Sequence, residues 1–270
     1  MPEGPEVKRT VDNLRECFLN KSISTFKFTS GRYKKKNPIG YLDMCEDMPR
    51  FVTAVGCKGK FIYFLFGDGS SLWNTLGMSG RWSVDGGAHV RAVMTTTQKQ
   101  RMLYLDTRNF GTFKFVNTYD ELSKKLNSLG PDMLSDDVSF DCFKQSLTKN
   151  SRPSKTIGQL LMDQKVVSGI GNYLKAEILY DAKISPYRIC SDISDIEMAR
   201  ILSSSLRLIR ISYNLGGATL EGWSRHSAQK GVYNRRFAVY NQKLDPQGNK
   251  VVRETTPDNR TTHWVPSLQK

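Results

Sequence analysis

Residues 51–84 read FVTAVGCKGKFIYFLFGDGSSLWNTLGMSGRWSV. Aromatic and β-branched side chains gather here in short runs, and Gly, Asp, Ser and Lys separate them. Runs of this kind are strands joined by tight turns. The texture extends to both sides, in SISTFKFTSGRY (22–33) and HVRAVMTTTQKQRMLYLDTRNFGTFKFV (89–116). Several short strands at such spacing predict a sandwich or a barrel.

Before the strands, Val7, Val11, Leu14 and Phe18 recur at helical intervals, so an amphipathic helix is expected from Pro5 to about Leu19. After about Asp120 the period becomes helical again, in DELSKKLNSL, SFDCFKQSLTK, SKTIGQLLMDQKVV, NYLKAEILYDAKI and DISDIEMARILSSSLRLIRISYNL. The tail returns to strand-like runs, RRFAVYNQ, KVVRET and RTTHWV. An α+β chain of two domains follows. The expected boundaries are a β domain over 1–120, a linker over 121–136, a helical domain over 137–236 and a terminal hairpin over 237–270.

A chain of 270 residues with 39% hydrophobic content can bury a real core and is not disordered. No apolar run approaches the ~20 residues of a membrane span. No charged-then-apolar leader opens the sequence, so an intracellular protein is expected. Lys+Arg of 40 against Asp+Glu of 26 leaves +14, an excess that usually faces a polyanion, with nucleic acid ahead of an acidic membrane. Cys17, Cys45, Cys57, Cys142 and Cys190 are scattered without a C-x-x-C pair, and only His89, His226 and His263 supply imidazole. Free thiols in a reducing compartment are expected, and no metal centre.

The chain starts MPEGPEV. Pro5 and Glu6 suit a helix start, where a fixed φ and a negative charge are both favourable. Pro2 and Glu3 are not explained that way. Methionine is normally removed before a residue as small as proline, which would leave Pro2 with a secondary α-amine. Such an amine has a pKa near ~8, so roughly a tenth is unprotonated at neutral pH. It is a ready nucleophile for an aldehyde-type carbon, with Glu3 as general acid or base and Glu6 as a second carboxylate.

In VVSGIGNYLKAEILYDAKISP (166–186), two glycines sit between helical segments. One reading is an ordinary helix–turn–helix corner. The other is an anion cradle, in which amides of the second helix point at a phosphate and Asn172 caps that helix. LGMSG (76–80) and DTRNFG (106–111) each carry a large side chain in turn chemistry: Met78, Arg108 and Phe110. These are either core residues or wedges for a gap in a base stack. Lys60, in KGKF (58–61), is either a solvated strand-end lysine or a contact to phosphate.

Together these motifs resemble the Fpg/Nei DNA glycosylases, the formamidopyrimidine-DNA glycosylase and endonuclease VIII family. P-E-G-P-E-V, G-K before a strand, L-G-M-S-G, D-x-R-x-F-G, V-V-S-G-I-G-N-Y and a C-terminal R-T-T run follow in family order from Pro2 to Lys270. The resemblance implies an N-terminal helix with an eight-stranded β-sandwich, then a helix–two-turns–helix domain bearing a finger hairpin. It implies a bifunctional DNA glycosylase and AP lyase of base excision repair, in which Pro2 attacks C1′ of a flipped, damaged nucleotide. Glu3 would serve as general acid/base with Glu6 in support, and Lys60 would hold backbone phosphate and assist elimination. Met78, Arg108 and Phe110 would fill the void left by the base, while His89, Lys155, Asn172 and Arg260 would bind phosphate. Arg260 also counts among the catalytic residues by this resemblance. The implied partner is double-stranded DNA with oxidised bases or abasic sites, bound by a monomer without a cofactor.

Two departures stand out. The family usually ends in a four-cysteine zinc finger, yet here no cysteine follows Cys190, and Val265 and Leu268 stand where the last pair would be. The tail resembles the zincless-finger subgroup typified by vertebrate endonuclease VIII-like 1 and a giant-virus enzyme. Apolar packing, with Trp264 as anchor, is expected to hold the hairpin instead. That subgroup implies oxidised pyrimidines, hydantoins and formamidopyrimidines as substrates, with 8-oxoguanine the alternative and a non-catalytic damaged-DNA binder a more distant one. Asn109 stands where many relatives carry a basic residue. The stretch EGWSRHSAQKGVYNRRF (221–237) is the candidate lesion-capping loop.

Overall fold

A computed structural model describes residues 2–150, 152–218, 231–256 and 259–270. Two compact units emerge. Pro2 and Glu6–Ser128 count with the first, and Glu3–Pro5, Leu129–Ala218 and Gly231–Lys270 with the second. Most of the stretch proposed as a lesion-capping loop falls outside the described residues.

Helix α1 (Gly4–Phe18) buries the predicted stripe of Val7, Val11, Leu14 and Phe18 almost completely. The first unit continues through β1 (Ser22–Phe28), two short helices α2 (Arg32–Lys35) and α3 (Tyr41–Glu46), and β2 (Arg50–Lys58). Then come β3 (Phe61–Phe66), β4 (Ser71–Thr75), β5 (Gly80–Ser83), β6 (Val90–Thr96), β7 (Arg101–Asp106), β8 (Thr112–Val116) and α4 (Tyr119–Asn127). The eight strands run antiparallel in the order β5-β7-β6-β1-β2-β3-β4-β8.

Strands β1 and β2 pair only at Ser22↔Phe51 and Ile23↔Arg50, so the ladder divides there into two halves. Those halves face each other. Phe26 on β1 meets Phe113 and Phe115 on β8 at 5.6 and 5.7 Å, and Trp82 on β5 meets Phe64 on β3 at 6.2 Å. This is the expected sandwich, with α1 closing its core through Phe18 against Phe64 at 5.9 Å. Neither α2 nor α3 is foreshadowed by periodicity, because α2 buries no residue and α3 only Met44.

The second unit contains α5 (Phe140–Thr148), α6 (Ile157–Met162), α7 (Asn172–Ala182), α8 (Asp195–Asn214) and the hairpin β9 (Val252–Thr255)/β10 (Thr261–Trp264). Reciprocal capping boxes, Thr156 with Gln159 and Ser194 with Glu197, start α6 and α8. Most of helix α7 is buried, Lys175 and Glu177 included, because α8 packs on one side and β10 on another, with Asp181 exposed near its end.

Residues 235–242 do not form the expected strand. A 3₁₀ turn spans Tyr233–Arg236, and the amides of Ala238, Val239 and Tyr240 then donate to the Glu177 carboxylate at 2.8, 3.0 and 2.8 Å. Trp264 is likewise not the hairpin's apolar anchor. It is half-buried against Tyr187, and its indole N–H donates to Glu254. The small core under the hairpin is Val239, Val251 and Val265 with Ala176 of α7, and Leu268 packs against it. Val265 and Leu268, the tail positions singled out in the sequence, therefore lie in or against this apolar cluster. Among the described residues no three or more His, Cys, Asp or Glu side chains gather as metal ligands, and no helix is long and apolar enough to cross a membrane.

Candidate functional site

In the second unit, Glu3 is 2% exposed and sits at the N-terminus of α7. Its Oε2 accepts from the amides of Gly171 at 2.8 Å and Leu174 at 3.2 Å, and its Oε1 accepts from Tyr173 at 2.9 Å. The anion cradle read from the glycine turn thus exists, but the anion in it is the chain's own carboxylate and not a phosphate. Helix-terminal amides and the positive end of the helix dipole favour a carboxylate there. Gly171 is required for this fit, since a Cβ on it would stand 2.2 Å from the Glu3 carboxyl carbon. Gly169, with φ +96°, accepts through its carbonyl from the Gly4 amide at 2.8 Å. Gln164 braces the turn by accepting from Gly169 N and donating to Ile170 O.

Asn172 does not cap α7. Gly171 occupies the cap position, and the Asn172 side-chain amide donates to the carbonyl of Thr261 at 2.8 Å. Thr261 adjoins Arg260, whose own carbonyl accepts both the amide and the hydroxyl of Thr256 at 2.9 Å. Arg260 is exposed at the hairpin turn, with its backbone fixed on one side by Thr256 and on the other, through Thr261, by Asn172. Lys155 is exposed just before α6, and its backbone bonds are to Arg152 and Cys190.

In the first unit, Pro2 and Glu6 are buried. Lys60 is half-buried in the two-residue turn between Lys58 and Phe61, where Gly59 adopts φ +56°. The register Phe61↔Thr75↔Thr112 places the Lys60 turn, residues 76–79 and residues 108–111 at one end of the strands. Gly77 approaches Phe110 and Gly111 so closely that a Cβ would lie 2.8 Å from their backbone. Met78 and Phe110 are 36% and 51% exposed, which removes the reading that they are core. The Arg108 guanidinium lies 4.8 Å from the Phe110 ring centroid.

One buried residue that the sequence reading left without a role organises this end. Asp106, 1% exposed, accepts from the Ser79 hydroxyl at 2.5 Å and the Gly111 amide at 2.7 Å. Ser79 in turn accepts from the Arg108 amide at 2.9 Å. The Asp106 amide donates to His89 O, and Arg91 Nε donates to Asp106 O at 2.8 Å. His89 is exposed with φ +68°, its Nδ1 3.4 Å from Arg91. The backbone and carboxylate of Asp106 thus tie the turns that carry Met78, His89, Arg108 and Phe110. Asp106 and Ser79 were visible in DTRNFG and LGMSG, but turn residues of this type are common enough to pass unremarked.

Comparison with known proteins agrees along the whole chain. The family model described as the formamidopyrimidine-DNA glycosylase N-terminal domain matches residues 1–113, the H2TH domain matches 129–223 and the C-terminal domain 233–270. A formamidopyrimidine-DNA glycosylase of Thermus thermophilus is 29% identical over 276 residues, covering 100% of this chain and 98% of its own. One from Listeria monocytogenes is 27% identical over 279 residues, with 100% of both chains covered. The crystal structure of the MutM (Fpg) protein from Thermus thermophilus superposes with a TM-score of 0.86 at 27% identity, over 99% of this chain and 98% of that one. A Lactococcus lactis Fpg variant bound to Fapy-dG-containing DNA has the same fold, with a TM-score of 0.87 at 23% identity over 100% of both chains.

Proposed function

The chain belongs to the formamidopyrimidine-DNA glycosylase family, and from that premise we propose a catalytic cycle built on Pro2. The enzyme is a DNA N-glycosylase and AP lyase acting on damaged DNA. Once Met1 is removed, the Pro2 nitrogen attacks C1′ of the flipped nucleotide and the C1′–N bond to the damaged base breaks; loss of the amine proton and opening of the C1′–O4′ bond then leave an iminium ion. Glu3 delivers and takes up the protons that ring opening and base departure require, with Glu6 in support. Loss of the acidic 2′ proton from the iminium ion then expels the 3′ phosphate, a second elimination expels the 5′ phosphate, and water hydrolyses the remaining linkage, freeing the unsaturated sugar aldehyde and the Pro2 amine. Lys60 and Arg260 hold these phosphates, with His89, Lys155 and Asn172 along the same strand. Met78, Arg108 and Phe110 occupy the space that the base has left.

The observation that carries this reading is the carboxylate of Glu3 held on three helix amides, directly beside Pro2 in the chain. A buried acid fixed this firmly is a proton-transfer group held in one place, and positioning of that kind lowers a barrier.

For the subgroup, we favour the zincless-finger, endonuclease VIII-like branch. Its support is the tail without cysteine and the apolar cluster that contains Val265 and Leu268. Oxidised pyrimidines, hydantoins and formamidopyrimidines are then the main substrates. The test compares single-turnover release of thymine glycol and 8-oxoguanine from matched duplexes. Faster release of thymine glycol, with strand nicking, is expected. Faster release of 8-oxoguanine would overturn the substrate assignment, and release of neither base, without nicking, would overturn catalysis.

A further inference from the structure

Residues Gly31–Lys36 read GRYKKK, four cations in six positions that the site described above does not use. They form α2 and its flanks, and the segment is tied down at both ends. At its start, Gly31 has φ +76°, and a Cβ there would lie 2.9 Å from Asn109 Oδ1. The Arg32 guanidinium donates to the Gly111 carbonyl and lies over the Tyr33 ring at 4.6 Å. Tyr33 itself enters the sandwich, 5.2 Å from Phe28 and 6.0 Å from Phe113, and its hydroxyl accepts the Phe113 amide at 3.2 Å. Beyond the turn, the Ile39 carbonyl accepts the Phe115 amide at 3.0 Å. A segment secured in this way has little freedom to collapse onto the surface.

What it holds out is charge. Lys34, Lys35 and Lys36 are all exposed, and among the described residues no carboxylate pairs with any of them. Surface lysines of a stable protein are usually interspersed with acids, because a run of like charge repels itself. Here the repulsion is retained on a turn hydrogen-bonded through Arg32 to Gly111, next to Phe110 in the chain. Beside the lysines lies a groove of about 380 Å³ lined by the apolar Tyr33, Ile39 and Phe113 together with the cations Arg32, Lys36 and Lys114. Apolar and cationic side chains lining one groove match a sugar–phosphate strand, with deoxyribose faces on the rings and phosphates on the ammonium groups.

We propose that the Gly31–Lys36 turn is an additional docking surface for the duplex backbone, gripping phosphates next to the base pair into which Phe110 and Arg108 project. It rests on the proposed glycosylase reading and extends it. The site around Asp106 inserts side chains into the stack, and the lysine turn clamps the backbone beside that insertion. It also gives Asn109 a physical role. At φ +55°, asparagine is among the few side chains that suit the backbone, and its Oδ1 leaves room at Gly31 for glycine alone, so that the neighbouring turn supplies the cations.

The test measures binding of a duplex carrying a tetrahydrofuran abasic analogue across a salt series. Replacing Lys34, Lys35 and Lys36 together by Gln should lower the log–log salt slope by about 2–3 units and weaken binding by about 10-fold or more at 0.1 M salt. The triple Lys→Arg variant should restore both. Circular dichroism and thermal melting confirm that both variants are folded. An unchanged slope in the Gln variant, with the protein folded, overturns the proposal. The parent reading is judged separately by covalent trapping of abasic DNA on the wild-type protein. If trapping succeeds while the slope is unmoved, only the lysine clamp fails.

Discussion

Glu3 is where a single residue decides most. Its carboxylate fills a cradle that Gly171 keeps open, so Gly171→Ala should push Glu3 off the α7 amides. A loss of roughly 1–3 kcal/mol is expected from overpacking, visible as a lower Tm together with slower base excision. Equal Tm and equal excision would contradict the arrangement. His263 gives a second check. It is 4% exposed, and burial, with the Arg253 and Lys175 charges beside it, pushes its pKa below the ordinary histidine value. The unfolded chain then binds the extra proton more readily, so stability rises with pH through the region just below about 6.5. Wild-type Tm should fall more steeply than that of His263→Gln as the pH drops from 7.5 to 5.5, and parallel curves would refute this. At this scale the sequence was only partly legible. Pro2 and Glu3 stood out because helix-start chemistry left them unexplained. The partners of Glu3 could not be read, because backbone amides carry no residue signature and lie some 170 positions along the chain. Asn172 was misassigned for a related reason: asparagine favours cap positions, yet Gly171 ahead of it takes the cap and frees its side chain for Thr261.

Among the elements, the segment leading to the terminal hairpin is tied to α7 by a buried carboxylate. Glu177 gathers the amides of Ala238, Val239 and Tyr240, and burial raises its pKa while those amides pull the other way. Asp245 accepts from Gln247 N at 2.9 Å, Asn249 N at 2.7 Å and the Tyr180 hydroxyl at 3.0 Å, which binds the loop before β9 to α7. Glu177→Ala would leave three amides without their acceptor, two of them half-buried and one buried. About 3 kcal/mol or more of local stability should be lost, read as faster hydrogen exchange at residues 238–240. Unchanged exchange would count against the clamp. A chelator such as EDTA should change neither exchange nor activity, and a loss of activity that added zinc restores would contradict the zincless account. Long periodic elements such as α1 and α8 were legible from spacing alone. The short α2 and α3 were not, since neither buries an apolar face. Residues 235–242 carry strand-like composition but satisfy their amides with a side chain from α7, a tertiary choice that local propensity does not encode.

For the whole molecule, the excess of positive charge finds its use in a polyanionic partner. Arg260→Ala should reduce the salt slope of duplex binding by about one unit and slow excision, and an unaltered slope would argue against a phosphate contact. Fold and family were readable because the motifs occur in order from Pro2 to Lys270, and no single motif would have sufficed. What remains most exposed to test is the nucleophile. Wild-type protein incubated with an abasic-site duplex and borohydride should form a covalent adduct, and peptide mass mapping should place the reduced linkage on the α-nitrogen of Pro2 in chains that have lost Met1. No adduct, or one mapped to a lysine side chain such as Lys60 while Pro2 remains unmodified, would contradict the account.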